Sequence, residues 1–407
     1  TPVPDPIDGG ETPPVGLPWN MLAIGAPAAW AKGLSGAGQN VAIVDTGVEA
    51  HDPWIGELPA EACWTTKAAP LVEGNCPDAI RTTVRGENNP MNNSPQTMPQ
   101  RIDGRQAGRV IARSAADPGG YRCHQEDLGP TMCEEEPGGQ AFADIVYRGT
   151  AVAGIAAGRR AGAAVAPGAQ VIAVNAASRF DPVPTRRDVD RGPRNVIGNP
   201  SDSASALAWI DSTRNRRRVA AVNLMLPGRH YRSDRSGYAP GTCAGIFPAL
   251  ERAVDALVRH RIPVVVAAGD DRDKRRLPWP ACLPNVISVG STDQNDRVAP
   301  SSNSSRQLTL LAPGVEVLGP TRKLRWSASF GILGINYAEG SLTGTYAAAA
   351  HVTGAIALYK QKNPRATPAE IRNRLRSTGI ATTDTANNRK TPRLRVDRLL
   401  NAGLPSD

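Results

Sequence analysis

The sequence predicts an α/β fold: a mostly parallel, twisted sheet with helices on both faces. Continuous apolar segments such as residues 41–44 and 264–268 are typical of strands that are buried on both faces. Helix-like segments separate these strands, and repeated alternation of strand and helix favours a parallel sheet. The chain has 407 residues, 40% hydrophobic and 21% charged, which is enough for one large globular domain with insertions.

The predicted elements alternate along most of the chain, and no internal repeat is present. Strands are predicted at residues 41–44, 171–174, 219–226, 263–268 and 286–289. Helices are predicted at residues 24–32, 150–158, 204–213, 243–259, 345–360 and 367–377.

Three regions fall outside this alternation. Residues 1–23 begin with a Pro- and Gly-rich stretch, and we expect an extended N-terminal arm. Residues 52–142 are dominated by Pro, Asn, Gly and charge, which predicts a loop-rich insertion, pinned by disulfides, in a single domain over residues 24–402. Residues 403–407 are predicted to be a short C-terminal tail.

The cysteine pattern favours disulfides over a metal site. The six cysteines are Cys63, Cys76, Cys123, Cys133, Cys243 and Cys282. None belongs to a Cys-x-x-Cys pair, so a structural zinc site is not predicted. An even number of scattered cysteines in a chain that starts at Thr1 predicts a processed, secreted protein, extracellular or periplasmic. The sequence does not choose among the fifteen pairings, although proximity favours Cys63 with Cys76 and Cys123 with Cys133, which leaves Cys243 with Cys282.

The formal net charge of +9 comes largely from Arg-rich stretches at residues 214–218 and 272–276. A basic surface favours an acidic partner, and the plain alternative is a solvated surface of high isoelectric point. No basic motif interleaved with aromatic residues is present, so nucleic acid is not an expected partner. No apolar segment approaches the roughly 18 residues that a membrane-spanning helix needs.

Four motifs stand where parallel sheets place functional groups, at the carboxyl ends of strands or at the starts of helices. Residues 41–48 are Val-Ala-Ile-Val-Asp-Thr-Gly-Val, so Asp45 directly follows a buried strand. Residues 148–154 are Arg-Gly-Thr-Ala-Val-Ala-Gly, and residues 264–270 are Val-Val-Val-Ala-Ala-Gly-Asp. Residues 344–354 are Gly-Thr-Tyr-Ala-Ala-Ala-Ala-His-Val-Thr-Gly. In order and spacing these motifs resemble those of the subtilisin-like serine proteases.

Softer matches at residues 222–228, 280–290 and 311–315 extend the resemblance from about residue 24 to residue 402. The resemblance implies the subtilisin-like fold and assigns Asp45 to the catalytic aspartate, which orients the catalytic histidine. Arg148 stands where that histidine belongs. Because arginine keeps its proton at any relevant pH, it cannot act as the general base.

The other two positions are altered as well. Asp270 replaces the asparagine whose amide donates to the oxyanion, and an ionised carboxylate has no such donor. Tyr346 replaces the serine nucleophile, whereas His351 matches a second motif histidine that is structural in the family. Family members often bind calcium, and because no loop here has a specific ligand spacing, a structural calcium ion stays open while no other cofactor is predicted.

We therefore expect Asp45, Arg148, Asp270 and Tyr346 to converge. Arg148 can form a bidentate pair with Asp45 and reach Asp270 as well. Tyr346 would fill the space of the scissile carbonyl. A structure with Arg148 in solvent, away from both acids, would contradict this hypothesis.

The substitutions predict a subtilisin-like pseudoprotease without an intact catalytic site. Its retained cleft would bind a peptide or protein partner by strand addition, in a regulatory, scaffold or shielding role. The candidate cleft residues are Leu226, Pro227, Gly228, Ala268 and Gly269.

The alternative hypothesis is a repurposed, non-proteolytic enzyme. In it Tyr346, Arg148 and one of the two carboxylates, Asp45 or Asp270, would carry out acid–base chemistry. A deep open pocket beside Tyr346 would favour this alternative, and a cleft plugged by Tyr346 would favour binding.

Overall fold

A computed structural model gives the fold of the chain. It describes residues 16–49, 52–63, 148–179, 196–225, 243–327 and 331–401, together with four short strands between residues 101 and 135.

The described strands are β1 (Asn40–Asp45), β2 (Ala60–Cys63), β3 (Arg101–Ile102), β4 (Arg105–Gln106), β5 (Tyr121–Gln125), β6 (Thr131–Glu135), β7 (Gln170–Asn175), β8 (Ala177–Arg179), β9 (Val196–Gly198), β10 (Val219–Leu224), β11 (Val264–Ala267), β12 (Val286–Thr292), β13 (Leu310–Pro313), β14 (Val317–Ser327), β15 (Gly331–Leu342), β16 (Ile380–Asp384) and β17 (Arg389–Arg393). The described helices are α1 (Trp19–Ile24), α2 (Ala26–Trp30), α3 (Arg148–Ala157), α4 (Pro200–Arg217), α5 (Pro248–Arg259), α6 (Thr345–Lys362), α7 (Pro368–Thr378) and α8 (Val396–Asn401). None of these helices is long and apolar enough to cross a membrane.

Nine strands form the central sheet in the order β16-β17-β13-β12-β11-β10-β1-β7-β2. Neighbouring strands are parallel except for the antiparallel pair β16 and β17. Every residue of β10 and β12 is buried, as expected for strands covered on both faces. The predicted fold, an α/β sheet that is mostly parallel, is therefore confirmed.

Helices cover both faces of this sheet. On one face α3 and α6 share a core that includes Val152, Ile155 and Ile356. On the other face α4 and α5 pack through a second core that includes Leu207 and Leu250. The carboxyl ends of β1, β10 and β11 lie side by side between these layers, so the residues that follow them meet at one edge.

The structure corrects two predicted boundaries. Helix α1 begins at Trp19, within residues 1–23 where an extended arm was expected, because Met21 and Ile24 are fully buried in the core. Strand β2 lies within residues 52–142, yet it pairs with β7 as an edge strand of the central sheet. The structure describes neither residues 1–15 nor the tail at 403–407, so those parts of the prediction are not addressed.

A disulfide joins Cys243 to Cys282, whose Cα atoms are 5.8 Å apart. It ties the segment before α5 to the segment before β12. In the hairpin formed by β5 and β6, Cys123 and Cys133 are register partners along the backbone. The pairing of Cys63 with Cys76 lies partly outside the described residues and stays a prediction.

His351 links helices α1 and α6. Its Nδ1 atom lies 2.8 Å from the carbonyl oxygen of Ala347, and its Nε2 atom lies 2.8 Å from Nδ2 of Asn20. The ring is therefore neutral, with Nδ1–H donating to Ala347 and Nε2 accepting from the Asn20 amide. Burial lowers the pKa of His351 to about 4.

This link predicts an acid-sensitive contribution to stability. Because the pKa of His351 is lower in the folded chain than its ordinary value near 6.5, the unfolded chain binds more protons between the two values. Stability should therefore fall as pH drops below about 6.5 and continue to fall towards pH 4. Urea unfolding at pH 7, 6 and 5 would measure the decline.

The matched variant is His351→Gln, which removes the titrating ring. We expect it to be less stable than the natural chain at pH 7 but to lose less stability between pH 7 and pH 5. Parallel declines in both proteins would show that His351 does not carry this pH dependence.

Candidate functional site

Asp45 and Arg148 meet where β1 ends and α3 begins. Asp45 is the last residue of β1 and is fully buried, and Arg148 is the first residue of α3. The helix approaches so closely that a Cβ atom at Gly149 would lie 1.9 Å from the carbonyl oxygen of Gly47. Only glycine fits there, and this close approach delivers the side chain of Arg148 to Asp45.

Asp45 and Arg148 form a partly buried ion pair. Nε and Nη2 of Arg148 donate to Oδ1 of Asp45 at 2.9 and 2.7 Å. The N–H of Thr46 donates to the same oxygen at 2.7 Å. The expected pair is present, but both guanidinium nitrogens bind one carboxylate oxygen instead of two. The other oxygen, Oδ2, is buried without a hydrogen-bond partner among the described residues.

Asp270 is held by the start of helix α6. Its Oδ2 atom accepts from the N–H of Thr345 at 3.0 Å and from the Thr345 hydroxyl at 2.9 Å. The hydroxyl of Ser301 donates to Oδ1 at 3.4 Å. A carboxylate at a helix N-terminus is favoured by the unpaired N–H groups and by the helix dipole. A direct contact between Arg148 and Asp270 stays a prediction.

Tyr346, the second residue of α6, is half-buried beside these groups. Its ring lies against Gly344, where a Cβ atom would come within 2.6 Å of the ring and where φ is +152°. Burial raises the pKa of Tyr346 to about 12. Arg148 lowers this pKa, and Asp270 and Asp45 raise it further, each by less than burial does. The structure thus brings the retained Asp45 and the three substituted positions, Arg148, Asp270 and Tyr346, together in one cluster.

A pocket of about 220 Å³ opens next to this cluster. Its wall includes Arg148, Asp270 and Tyr346 together with the apolar side chains of Met225 and Trp279. The ends of β10 and β11 form its floor, where the family's substrate cleft is expected. Tyr346 lines this space without closing it, so the cleft is open beside the tyrosine.

The predicted cleft residues have different positions. Gly269 lines the pocket, and its N–H donates to the Thr345 hydroxyl at 3.1 Å. Ala268 is fully buried, with its N–H bonded to Val289 and its carbonyl to the Asn303 amide, so it supports the cleft from beneath. Residues 226–228 lie outside the described residues, so Leu226, Pro227 and Gly228 stay candidates.

Sequence reasoning missed two contributors to the site. Thr345 holds both Asp270 and Gly269 through its hydroxyl, and Trp279 supplies an apolar wall. The Gly-Thr dipeptide before Tyr346 could have indicated the role of Thr345. No local sequence pattern indicates that Trp279 lines the site. In the described part of the chain, no group of three or more His, Cys, Asp or Glu side chains is placed to hold a metal ion.

The ion pair predicts a large effect of Arg148→Met on stability. The variant leaves a buried carboxylate without its cation, which costs about 3–5 kcal/mol for a fully buried pair. Because the Arg148 side chain is 21% exposed and Thr46 still donates to Asp45, we expect a loss of roughly 2–4 kcal/mol in urea unfolding.

The matched control is Arg160→Met, which breaks a 2.7 Å ion pair to Glu339 whose side chains are 55% and 40% exposed. It should cost less than about 1 kcal/mol. Adding Asp45→Asn to Arg148→Met should restore part of the lost stability because it removes the stranded charge. Equal losses for the two arginines would contradict this account of the pair.

Curated relatives of the chain are serine proteases. Subtilisin Savinase from Lederbergia lenta is 26% identical over 365 residues, a match that covers 90% of this chain and 92% of the relative. The extracellular serine proteinase of Thermus sp. (strain Rt41A) is 33% identical over 177 residues. That second match spans 44% of this chain and 36% of the relative.

Solved structures show the same fold. A protease from Pseudoalteromonas arctica has a TM-score of 0.57 at 23% identity, with 93% of each chain covered. MycP1 with its N-terminal propeptide removed has a TM-score of 0.54 at 18% identity, covering 96% of this chain and 99% of that chain. The sequence profile of the Subtilase family, Peptidase S8, matches residues 36–400, and the chain belongs to that family.

Proposed function

We propose that this subtilase binds an extended peptide or protein segment in its cleft and does not hydrolyse it. The observation that carries the proposal is the pair between Arg148 and Asp45. At the position of the general base stands a guanidinium group whose Nε and Nη2 atoms are both committed to Asp45. A guanidinium group that stays protonated has no site to accept a proton from a nucleophile.

The other two positions support the same proposal. With its pKa raised to about 12, the Tyr346 phenol keeps its proton at neutral pH and is a poor nucleophile. Asp270 accepts hydrogen bonds from Thr345 and has no proton to donate to an oxyanion. Loss of one oxyanion donor alone typically costs about 10²–10³ in rate.

The cleft itself supports a binding role. The pocket of about 220 Å³ has apolar walls from Met225, Ala267 and Trp279, which suit one apolar side chain of a partner. The strand ends beside it would pair with an extended segment. Such a protein would regulate, shield or present its partner.

The charge of a neighbouring loop indicates the kind of partner, and a relative's name indicates where the protein acts. Asp271 lines the pocket, and Arg272, Arg275 and Arg276 are exposed in the loop that follows it, which favours an acidic segment outside the pocket. The Thermus relative is an extracellular proteinase by name. We therefore place this binding function in a secreted protein.

The second candidate is a repurposed enzyme, which the open pocket beside Arg148, Asp270 and Tyr346 favours. Acid–base catalysts work best when their pKa lies near the working pH. A tyrosine with a pKa of about 12 is far from that range, and Arg148 is engaged with Asp45. Binding is therefore the function that the site supports better.

Filling the pocket tests the binding proposal. Ala267 is half-buried at the end of β11 and lines the cavity, so Ala267→Leu should occupy it. We expect the natural chain to retain a reproducible set of peptides from a diverse mixture, identified by mass spectrometry. The variant should bind the most enriched peptide at least about tenfold more weakly, as expected when one buried anchor is excluded.

The control is Ala381→Leu, which makes the same change at an exposed position of edge strand β16. Its affinity should stay within about twofold of the natural chain, the usual range for surface substitutions. Failure to retain any reproducible peptide, or equal affinity in the Ala267 variant, would overturn the proposal.

A further inference from the structure

The edge of the domain opposite the cleft carries a cluster of exposed arginines. Parallel strands begin at this edge, and the crossover helices end there. Arg218 lies between α4 and β10, Arg259 ends α5, and Arg261 lies between α5 and β11. Arg365 lies between α6 and α7. We call these four exposed residues the amino-edge patch.

Contacts show that the patch is continuous. Val222 of β10 pairs with Val264 of β11, so Arg218 and Arg261 precede the starts of neighbouring strands, which lie about 5 Å apart. Nη1 of Arg261 donates to the carbonyl oxygen of Arg365 at 3.0 Å, which joins the loop before β11 to the loop before α7.

Helix α7 begins at this edge of the domain and then runs towards the opposite edge, where β16 begins antiparallel to β17. The side chain of Arg372, in the second turn of α7, donates to the carbonyl oxygen of Pro284 just ahead of β12. The patch therefore lies across the starts of β10 and β11, with the first half of α7 beside it.

Two of these arginines occupy backbone conformations that disfavour them. Arg218 has φ of 44° and Arg261 has φ of 64°, in the left-handed region where glycine or asparagine is usual. Arg218 and Arg259 at the carboxyl ends of α4 and α5 are favoured by the helix dipole, and Arg261 donates to Arg365. At both left-handed positions the chain nevertheless carries a guanidinium group where glycine would relieve the backbone.

Nearby carboxylates do not outnumber the arginines of the patch. Asp211 pairs with His260 at 2.7 Å, Asp255 accepts from the Asn285 amide at 2.9 Å, and Glu370 closes the capping box of α7 close to Arg261. Four arginines against three carboxylates leave a net positive charge. The pKa of Lys360 is lowered to about 8, first by burial and then by Arg261.

We propose that the amino-edge patch docks this protein on an anionic lipid bilayer through the headgroup phosphates. Guanidinium groups bind phosphate oxygens through paired hydrogen bonds. Each basic residue close to an anionic membrane surface raises affinity by about fivefold. Arg218 and Arg261 precede neighbouring strands and Arg261 contacts Arg365, so the fields of these arginines overlap within a Debye length of about 8–10 Å.

A bilayer fits the patch better than a protein partner does. Specific protein interfaces are built around buried aromatic or other apolar anchors. On this edge, within the described part of the chain, no aromatic side chain is exposed. Docking at the amino edge also leaves the cleft, at the carboxyl edge, facing away from the membrane and open to a partner.

Vesicle co-sedimentation of the full chain tests the proposal. We expect binding to vesicles of equal parts phosphatidylcholine and phosphatidylglycerol and none to phosphatidylcholine alone. Binding should weaken as salt rises from about 0.05 to 0.5 M because the attraction is screened. A short DNA duplex at the same salt serves as the competing polyanion.

Two variants with the same loss of charge locate the binding surface. The patch variant combines Arg218→Asn, Arg259→Gln, Arg261→Asn and Arg365→Gln. The control variant combines Arg272→Asn, Arg275→Gln, Arg276→Gln and Arg306→Gln at other exposed positions. Asparagine tolerates the left-handed backbone at residues 218, 261 and 272, and thermal unfolding checks that both variants fold.

The patch variant should lose at least about tenfold in vesicle affinity, and the control less than about threefold, given the contribution of each basic residue at the membrane surface. Equal losses would mean that net charge alone drives binding and would overturn the proposal. Binding to neutral vesicles as well, no binding to either vesicle, or tighter binding to the DNA duplex would overturn it too. None of these outcomes bears on peptide binding in the cleft.

Discussion

The cleft depends on how the chain satisfies one buried carboxylate. Asp45 is fully buried at the end of a central strand, and a buried charge is stable only with a partner. Arg148 supplies that partner with two hydrogen bonds to one oxygen. The family uses the same position for a histidine that must exchange protons. Arginine supplies the positive charge that buried Asp45 requires. It cannot exchange protons as a catalytic histidine does.

The neighbouring substitutions are consistent with that arrangement. Asp270 no longer faces an oxyanion but holds the start of helix α6 through Thr345. The ring of Tyr346 lies against Gly344 and is coupled to Arg148 and both carboxylates. The cluster therefore resembles a fixed wall more than a proton relay. This wall borders a pocket with both polar and apolar lining, and a preformed pocket is suited to recognition because it loses little entropy on binding.

The central sheet could be predicted from sequence because its strands are buried on both faces and read as unbroken apolar segments. The strands at residues 264–267 and 286–292 are examples. Helix α4 is longer than predicted, running from Pro200 to Arg217, because Asn199 caps it and Pro200 fits the first turn. The β14–β15 hairpin was missed because glycine, proline and charged residues interrupt any alternation along it.

The sequence predicted which residues meet in the candidate site but not which of their atoms form hydrogen bonds. Motif order placed Asp45 and Arg148 together, yet only the tertiary structure shows that both nitrogens bind a single oxygen. The role of Thr345 depends on how α6 approaches β11, which no local pattern encodes.

The most direct test of this account is whether the chain cuts peptide bonds at all. A diverse mixture of peptides and proteins incubated with the purified chain can be searched for new termini by mass spectrometry. The account predicts no new termini above those in a mixture without the protein. New cleavage products that vanish in Tyr346→Ala would contradict it and would show that the altered site retains proteolytic chemistry.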